Sequence, residues 1–343
     1  MIRLHTNVSL LPYNTFGVDV SASYLFYLNQ LADLDNFMEI PGLREMSGNL
    51  KRILVLGQGS NILFTGDYEG IVIKNEIGGI RIIEEDDSFV IVEAGAGVIW
   101  NDLVDYAVSR GWWGIENLAL IPGTAGAAPV QNIGAYGVEA ADVIVRVTAF
   151  NLETGQWLVL ENSDCGFGYR DSIFKRSLKN KALICSVIFR LSKRAEPRLE
   201  YSGVREELDK RGISNPSASD IAEAVTAIRR SKLPDPALLG NAGSFFKNPT
   251  VSEAVWLRLN GDHPGIPAHR QGDLYKIPAG WLIEKAGWKG YRSGNVGCYE
   301  RQSLILVNYG NATGREILDL SDRITESVYL MFEINLEKEV NVI

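Results

Sequence analysis

At 343 residues the chain exceeds what one hydrophobic core usually serves, which predicts two or three domains. A hydrophobic share of 46% beside a charged share of 22% suits a globular protein in water, and a net charge of −8 argues against general nucleic-acid binding, which calls for a basic face. The opening MIRLHTNVSL is too short and polar for a signal peptide, and no apolar run approaches the roughly 20 residues that span a bilayer, so a cytoplasmic protein is expected.

The first elements alternate in type. Asn14-Thr15-Phe16-Gly17 precedes an apolar stretch closing in YLFYL at 24–28, and Leu31, Leu34 and Met38 then recur at helical spacing until Pro41-Gly42 stops them. The apolar run ILVL at 53–56 reads as a buried strand. This β-α-β order predicts a parallel pair joined by a crossover helix. The run ends abruptly in Gly57, Gly59, Ser60 and Asn61. A Rossmann site is rejected, because the third glycine position after Gly57-x-Gly59 holds Ile62, and that after Gly95-x-Gly97 holds Trp100.

Residues 71–150 read as alternating strands with short polar turns, a meander. One helix interrupts them, with Trp100, Leu103, Val104 and Ala107 as its stripe and Gly111 where a C′ cap belongs. Trp112 and Trp113 read as core. Strands mixed with a few helices point to an α+β chain.

The stretch ALIPGTAGAAPVQNIGAYG at 119–137 is rich in glycine and alanine, contains two prolines and carries no charge. It offers little apolar area to bury and makes a poor helix. Glycine lacks Cβ and tolerates φ > 0, so such a backbone can bring its N–H groups against a bulky anion. Thr124, Gln131 and Asn132 add side-chain donors. A long ordered loop would have the same composition. The second glycine-rich turn upstream, at 57–61, favours two cradles for one extended, phosphorylated dinucleotide.

Downstream, FGYRDSIFK at 167–175 sets Arg170 beside Tyr169, either a surface pair or a site. The strand ALICSVIFRL leads into a charged connection holding Tyr201. A helix follows from about Asp220, with Asp220 and Glu223 at capping-box spacing and Ile221, Ala224, Val225 and Ile228 on one face. It ends before Lys232-Leu233-Pro234-Asp235-Pro236, where a domain boundary is placed. In GNAGSFFKNP at 240–249, Ser244 lies between a glycine and two large aromatics. No Gly-x-Ser-x-Gly elbow or nearby histidine makes it an acyl nucleophile. KIPAGWLIEKAGWKG predicts a helix from Pro278 to Gly287. Ile317, Leu320, Ile324 and Val328 predict another before a last strand, LEKEV, that carries Glu337 and Glu339. Cys165, Cys185 and Cys298 are too few for a disulfide framework, and none forms a Cys-x-x-Cys pair, so no metal is expected.

LVLGQGSNILF at 54–64, IPGTAGAAPVQNIGAYG, FGYRDSIFK, SKLPDP at 231–236 and GNAGSFFKNP occur in one order. Together they resemble the UDP-N-acetylenolpyruvoylglucosamine reductases from about Asn14 to Glu339. The resemblance implies three domains: residues 1–67 with the final strand 333–343, and residues 68–231, as an FAD-binding fold of the vanillyl-alcohol-oxidase type, then an α+β substrate domain at 232–332. It implies FAD as cofactor and NADPH as co-substrate for the reduction of UDP-N-acetylglucosamine enolpyruvate in peptidoglycan synthesis. FAD would be held by Gly57, Gly59, Ser60 and Asn61, and by Pro122, Gly123, Thr124, Gly126, Ala127, Gln131, Asn132, Gly134, Ala135 and Tyr136. Ser244 corresponds to the acid that protonates C2 after hydride reaches C3, and Arg170 to the arginine that orients the enolpyruvyl carboxylate. Glu339, rather than Glu337, matches the Leu-Glu-x-Glu-Val spacing of the carboxylate beside the reacting carbons. Tyr169, Tyr201, Lys232 and Asn248 fall at substrate positions. The family's first type has a loop tyrosine in Tyr-Gly-Asp-Leu, where this chain has Tyr201-Ser202-Gly203-Val204. Related oxidases often attach FAD to a histidine, but His5, His263 and His269 lie outside both cradles, so non-covalent FAD is expected; nothing in the sequence suggests an obligate interface, and a monomer is expected. A nucleotide sensor without turnover would have lost Ser244 and Arg170, and both are present.

Overall fold

The computed structural model describes residues 4–40 and 52–343, whose contacts fall into two units. The first comprises Met1–Val8, Ala22–Gln58 and Glu69–Ser231; the second comprises Ser9–Ser21, Gly59–Tyr68 and Lys232–Ile343.

The first unit contains two sheets. In one, the order is Leu4–Ser9, Ser21–Leu28, Tyr68–Asn75, Ile53–Leu56, and the last two strands run parallel. The strands flanking the helix Ala32–Met38 are therefore not partners, contrary to the β-α-β expectation, because Tyr68–Asn75 lies between them. That strand is buried from Gly70 to Ile73 on both faces, and such a strand belongs inside a sheet. Pro41-Gly42 lies outside the described residues.

The other sheet has the order Trp157–Glu161, Ile144–Asn151, Ala182–Ser192, Phe89–Gly95, Ile80–Glu85, all antiparallel. It is two hairpins separated by the long strand 182–192 rather than a meander. The reason is again burial, since that strand hides residues on both faces and must be central. Against the sheet packs the helix Trp100–Val108, which buries Trp100, Leu103, Val104 and Ala107; Trp112 and Trp113 are core, and Gly111 takes φ +73°. The same core takes Val204 and Leu208 from a helix Ser202–Lys210, which lies in the charged connection and is not expected from the sequence. The helix Ala218–Lys232 starts before Asp220. Its cap is Ser217, whose N–H and Oγ both donate to Asp220 Oδ2, at 2.8 and 2.6 Å. Serine before the first turn outcompetes the Asp220/Glu223 spacing because it satisfies an N–H that is free at the helix start.

The second unit is built on the antiparallel order Gly240–Ser244, Ile305–Asn308, Val296–Cys298, Arg292–Ser293. The helix Gly314–Phe332 buries Ile317, Leu320, Ile324 and Val328 and starts on a capping box between Thr313 and Glu316. Pro278 caps the helix Ala279–Lys285, and Gly287 follows it at φ +83°. The strand Asn341–Val342 runs parallel to Ile62–Leu63. Burial pushes the thiol of Cys165 up to about 11 and those of Cys185 and Cys298 up to about 12. Among the described residues no helix is long and apolar enough to cross a membrane.

Candidate active site

In the first unit the two glycine turns meet. A Cβ built on Gly57 would lie 2.8 Å from Thr124 Oγ1, so only glycine allows the approach. The Gly123 N–H donates to Gln58 Oε1 at 2.6 Å, tying one turn to the other. Gly126 sits against Ala96, where an added Cβ would meet Ala96 Cβ at 2.4 Å. Leu120, Asn132 and Tyr136 all take positive φ, which limits strand pairing in this stretch to Gly134–Ala135 against Val138–Glu139. Turns and side chains supply the rest. Asn132 is 1% exposed, with Nδ2 donating to Glu139 Oε2 at 2.7 Å and to the Gly168 carbonyl at 3.1 Å, and Oδ1 accepting from the Ala141 N–H at 2.9 Å. Its amide thus ties the loop together. Asn117 does similar work, donating to the carbonyls of Tyr136 and Arg198 at 2.9 and 3.0 Å.

At the far end of this stretch stands Arg170. Gly168 and Asp171 exchange backbone hydrogen bonds around a tight turn, and Arg170 occupies its third position at φ +52°. Glycine or asparagine is preferred there, so arginine carries strain. Its guanidinium donates to the Gly134 carbonyl at 2.5 Å, lies 5.4 Å from the Tyr169 ring centre, and would be crowded by any Cβ on Gly134. Tyr201 caps the helix Ser202–Lys210, remains 47% exposed and meets Tyr136 edge-on at 5.2 Å. Arg229 joins this end unannounced by the sequence, donating to the Leu120 carbonyl at 3.2 Å and bonded to the Tyr136 side chain. Burial pulls its guanidinium below the ordinary value and pushes the Tyr136 hydroxyl above its own. Its only signal in the sequence is an arginine on the helix just before SKLPDP.

In the second unit the terminal strand lies along the Ser244 segment. The Glu339 N–H donates to the Phe245 carbonyl at 2.8 Å, and the Lys247 N–H to the Glu337 carbonyl at 2.8 Å, which sets Glu339 beside the residue following Ser244. Glu337 is exposed and paired with Lys247, whereas Glu339 is half-buried. Gly243, before Ser244, takes φ +69° and faces open space. Asn61 Nδ2 reaches the Glu339 carbonyl at 3.4 Å, and its own carbonyl accepts from the Asn341 N–H at 3.1 Å, so this turn steadies the strand that carries the carboxylate. Asn248 Oδ1 caps the helix Ala279–Lys285 by accepting from the Ala279 N–H at 2.9 Å, a role invisible in the sequence. Lys232 is exposed at the end of its helix.

The first turn is suited to a phosphorylated cofactor. The N–H groups of Gln58, Gly59 and Ser60 have no acceptor among the described residues, and successive free donors make an anion nest. Gly59 takes φ +65°, and a Cβ on it would run into the Tyr13 carbonyl. An FAD-binding domain matches residues 43–161, and with the nest it makes the chain an FAD-dependent oxidoreductase. The C-terminal domain of UDP-N-acetylenolpyruvoylglucosamine reductase matches residues 235–343. Reductases of that name from Chromobacterium violaceum and Pseudomonas syringae pv. tomato are 46% and 47% identical, covering 98% and 99% of both this chain and theirs. The crystal structure of the Thermus caldophilus enzyme is 26% identical with a TM-score of 0.67, covering 100% of this chain and 99% of that one. The chain belongs to the UDP-N-acetylenolpyruvoylglucosamine reductase family, whose members reduce a precursor of peptidoglycan. Its architecture is α+β, an FAD-binding fold of the vanillyl-alcohol-oxidase type followed by the family's C-terminal domain.

Proposed function

We propose that the chain catalyses the NADPH-dependent reduction of UDP-N-acetylglucosamine enolpyruvate to UDP-N-acetylmuramate. The two glycine turns would hold FAD, which when bound would supply the redox chemistry, hydride from N5 to C3 of the enolpyruvyl group with NADPH as the reductant. Ser244 gives its hydroxyl proton to C2, so the C2–C3 double bond becomes saturated by one hydride and one proton. A serine hydroxyl is a weak acid, and Glu339 assists the transfer from its strand next to Phe245. Arg170 binds the substrate carboxylate through two parallel N–H donors and offsets charge that grows on it. Tyr169 and Tyr201 flank that carboxylate end, while Lys232 and the amide of Asn248 hold the diphosphate. For function the chain divides into residues 1–67 with 333–343, residues 68–231, and residues 232–332, and a reaction drawing on NADPH and a UDP-sugar runs in the cytoplasm.

The observation that supports this reading is the hydrogen bond from the Glu339 N–H to the Phe245 carbonyl, which sets the Glu339 backbone beside the residue that follows the proposed acid. An anaerobic visible spectrum tests it. The flavin band should bleach with NADPH and return when UDP-N-acetylglucosamine enolpyruvate is added. Return with oxygen but not with the enolpyruvyl compound would sink the proposal.

A further inference from the structure

We propose that Lys74 is the cation of the FAD site, its ammonium group binding the cofactor's diphosphate at the glycine turn after Ile53–Leu56. Lys74 stands opposite Leu56 in the parallel pair, at the C-terminal ends of both strands, where ligands of such sheets gather. Its Nζ donates to the Gly57 carbonyl at 2.6 Å. Gly57 is the glycine pressed against Thr124, and its neighbour Gln58 holds Gly123. The ammonium and the two turns thus converge within the first unit.

Neither residues 57–63 nor residues 119–137 contain a lysine or arginine, and the whole protein carries a net charge of −8. A diphosphate with two negative charges therefore needs a cation from elsewhere. Arg170 lies at the opposite end of the second stretch, with Gly134, and Arg229 is already engaged by the Leu120 carbonyl and the Tyr136 side chain. Lys74 interrupts a strand whose residues 70–73 and 75 are buried, a costly place for an ammonium that, among the described residues, one carbonyl serves. An ammonium has three N–H groups, which leaves two for phosphate oxygens. Burial holds its pKa below the ordinary lysine value, and Glu76 acts in the other direction. An anion docked on it would repay that burial.

This inference rests on the FAD reading, and binding separates the two. Apoprotein of the wild type, Lys74→Met and Lys74→Arg is titrated with FAD at low and high salt, followed by flavin fluorescence, with riboflavin as a probe lacking the diphosphate. Lys74→Met should bind FAD at least about tenfold more weakly, with a shallower salt dependence. Lys74→Arg should stay within about threefold of the wild type, and riboflavin should not distinguish the three proteins. Wild-type affinity and salt dependence in Lys74→Met would overturn the proposal, as would an equal loss for riboflavin or an equal loss in Lys74→Arg. A wild-type protein that binds no FAD would remove the parent reading together with this one.

Discussion

The glycine-rich stretch at 119–137 and the Ser244 segment at 240–249 look alike on paper, yet they are held in opposite ways. In the first, positive φ values break the pairing into short pieces, and side chains supplement turn bonds such as those from the Ala127 and Ala128 N–H groups to the Thr124 carbonyl: Asn132, Asn117, Gln58, and Ser172, whose hydroxyl donates to the Val130 carbonyl at 2.6 Å. In the second, Asn241 and Ser244 pair with Val307 and Ile305, the Phe245 N–H reaches the Leu304 carbonyl at 2.8 Å, and the terminal strand completes the pairing. The backbone around Ser244 thus pairs with backbone on both sides, and the side-chain support comes from the segment's two asparagines, Asn241 accepting from the Gly243 N–H and Asn248 from the Ala279 N–H. A side chain spent on architecture is lost to catalysis, so mutations in the two stretches should fail differently.

The largest effect should come from Ser244→Ala. Anaerobic stopped-flow should show flavin re-oxidation by the enolpyruvyl substrate slowed about 10²–10⁴-fold, with NADPH reduction and thermal stability unchanged. A fall in stability as well would erase the contrast. Asn132→Ala should do the reverse. It strands the Ala141 N–H and removes the bonds to Glu139 and the Gly168 carbonyl, and should lower unfolding free energy in denaturant by about 1–3 kcal/mol with loss of flavin. The neighbouring glutamates sharpen the comparison: Glu339→Gln should slow turnover, while Glu337→Gln gives up only an exposed pair with Lys247, leaves turnover unchanged and shifts stability within about 1 kcal/mol.

Glu116, at the entry to the first stretch, should give a smaller, pH-dependent effect. Burial raises its folded pKa above the unfolded value, although the Gly114 N–H donates to its Oε2 at 2.6 Å. A raised carboxylate favours folding below its unfolded pKa, and that stability is lost as pH rises through the folded value. Thermal melts should therefore show Glu116→Gln gaining on the wild type as pH climbs from the acid side to neutrality; a gap that does not vary with pH would contradict this. Smallest of all, the three buried thiols should ignore a disulfide reagent at mildly alkaline pH until the protein unfolds.

What the sequence revealed follows the range of the forces involved. Helical stripes such as Trp100–Ala107 and Ile317–Val328 were legible because burial repeats locally. Strand order was not, since the central places of Tyr68–Asn75 and Ala182–Ser192 depend on partners far along the chain. The helix Ser202–Lys210 was hidden because Val204 and Leu208 alone mark its buried face. The two glycine turns announced a cradle by composition. Arg229, the second duty of Asn248 and the internal employment of Asn132 arise from contacts that no spacing rule encodes.

Arg170 sits in a backbone conformation that suits glycine or asparagine better. Replacing it there should relieve roughly 1 kcal/mol of conformational penalty. A laboratory that evolved this protein for heat resistance alone would therefore tend to discard the guanidinium early, and its survivors would be hardier and inert. Only selection that demands turnover in every round would keep the arginine in its turn.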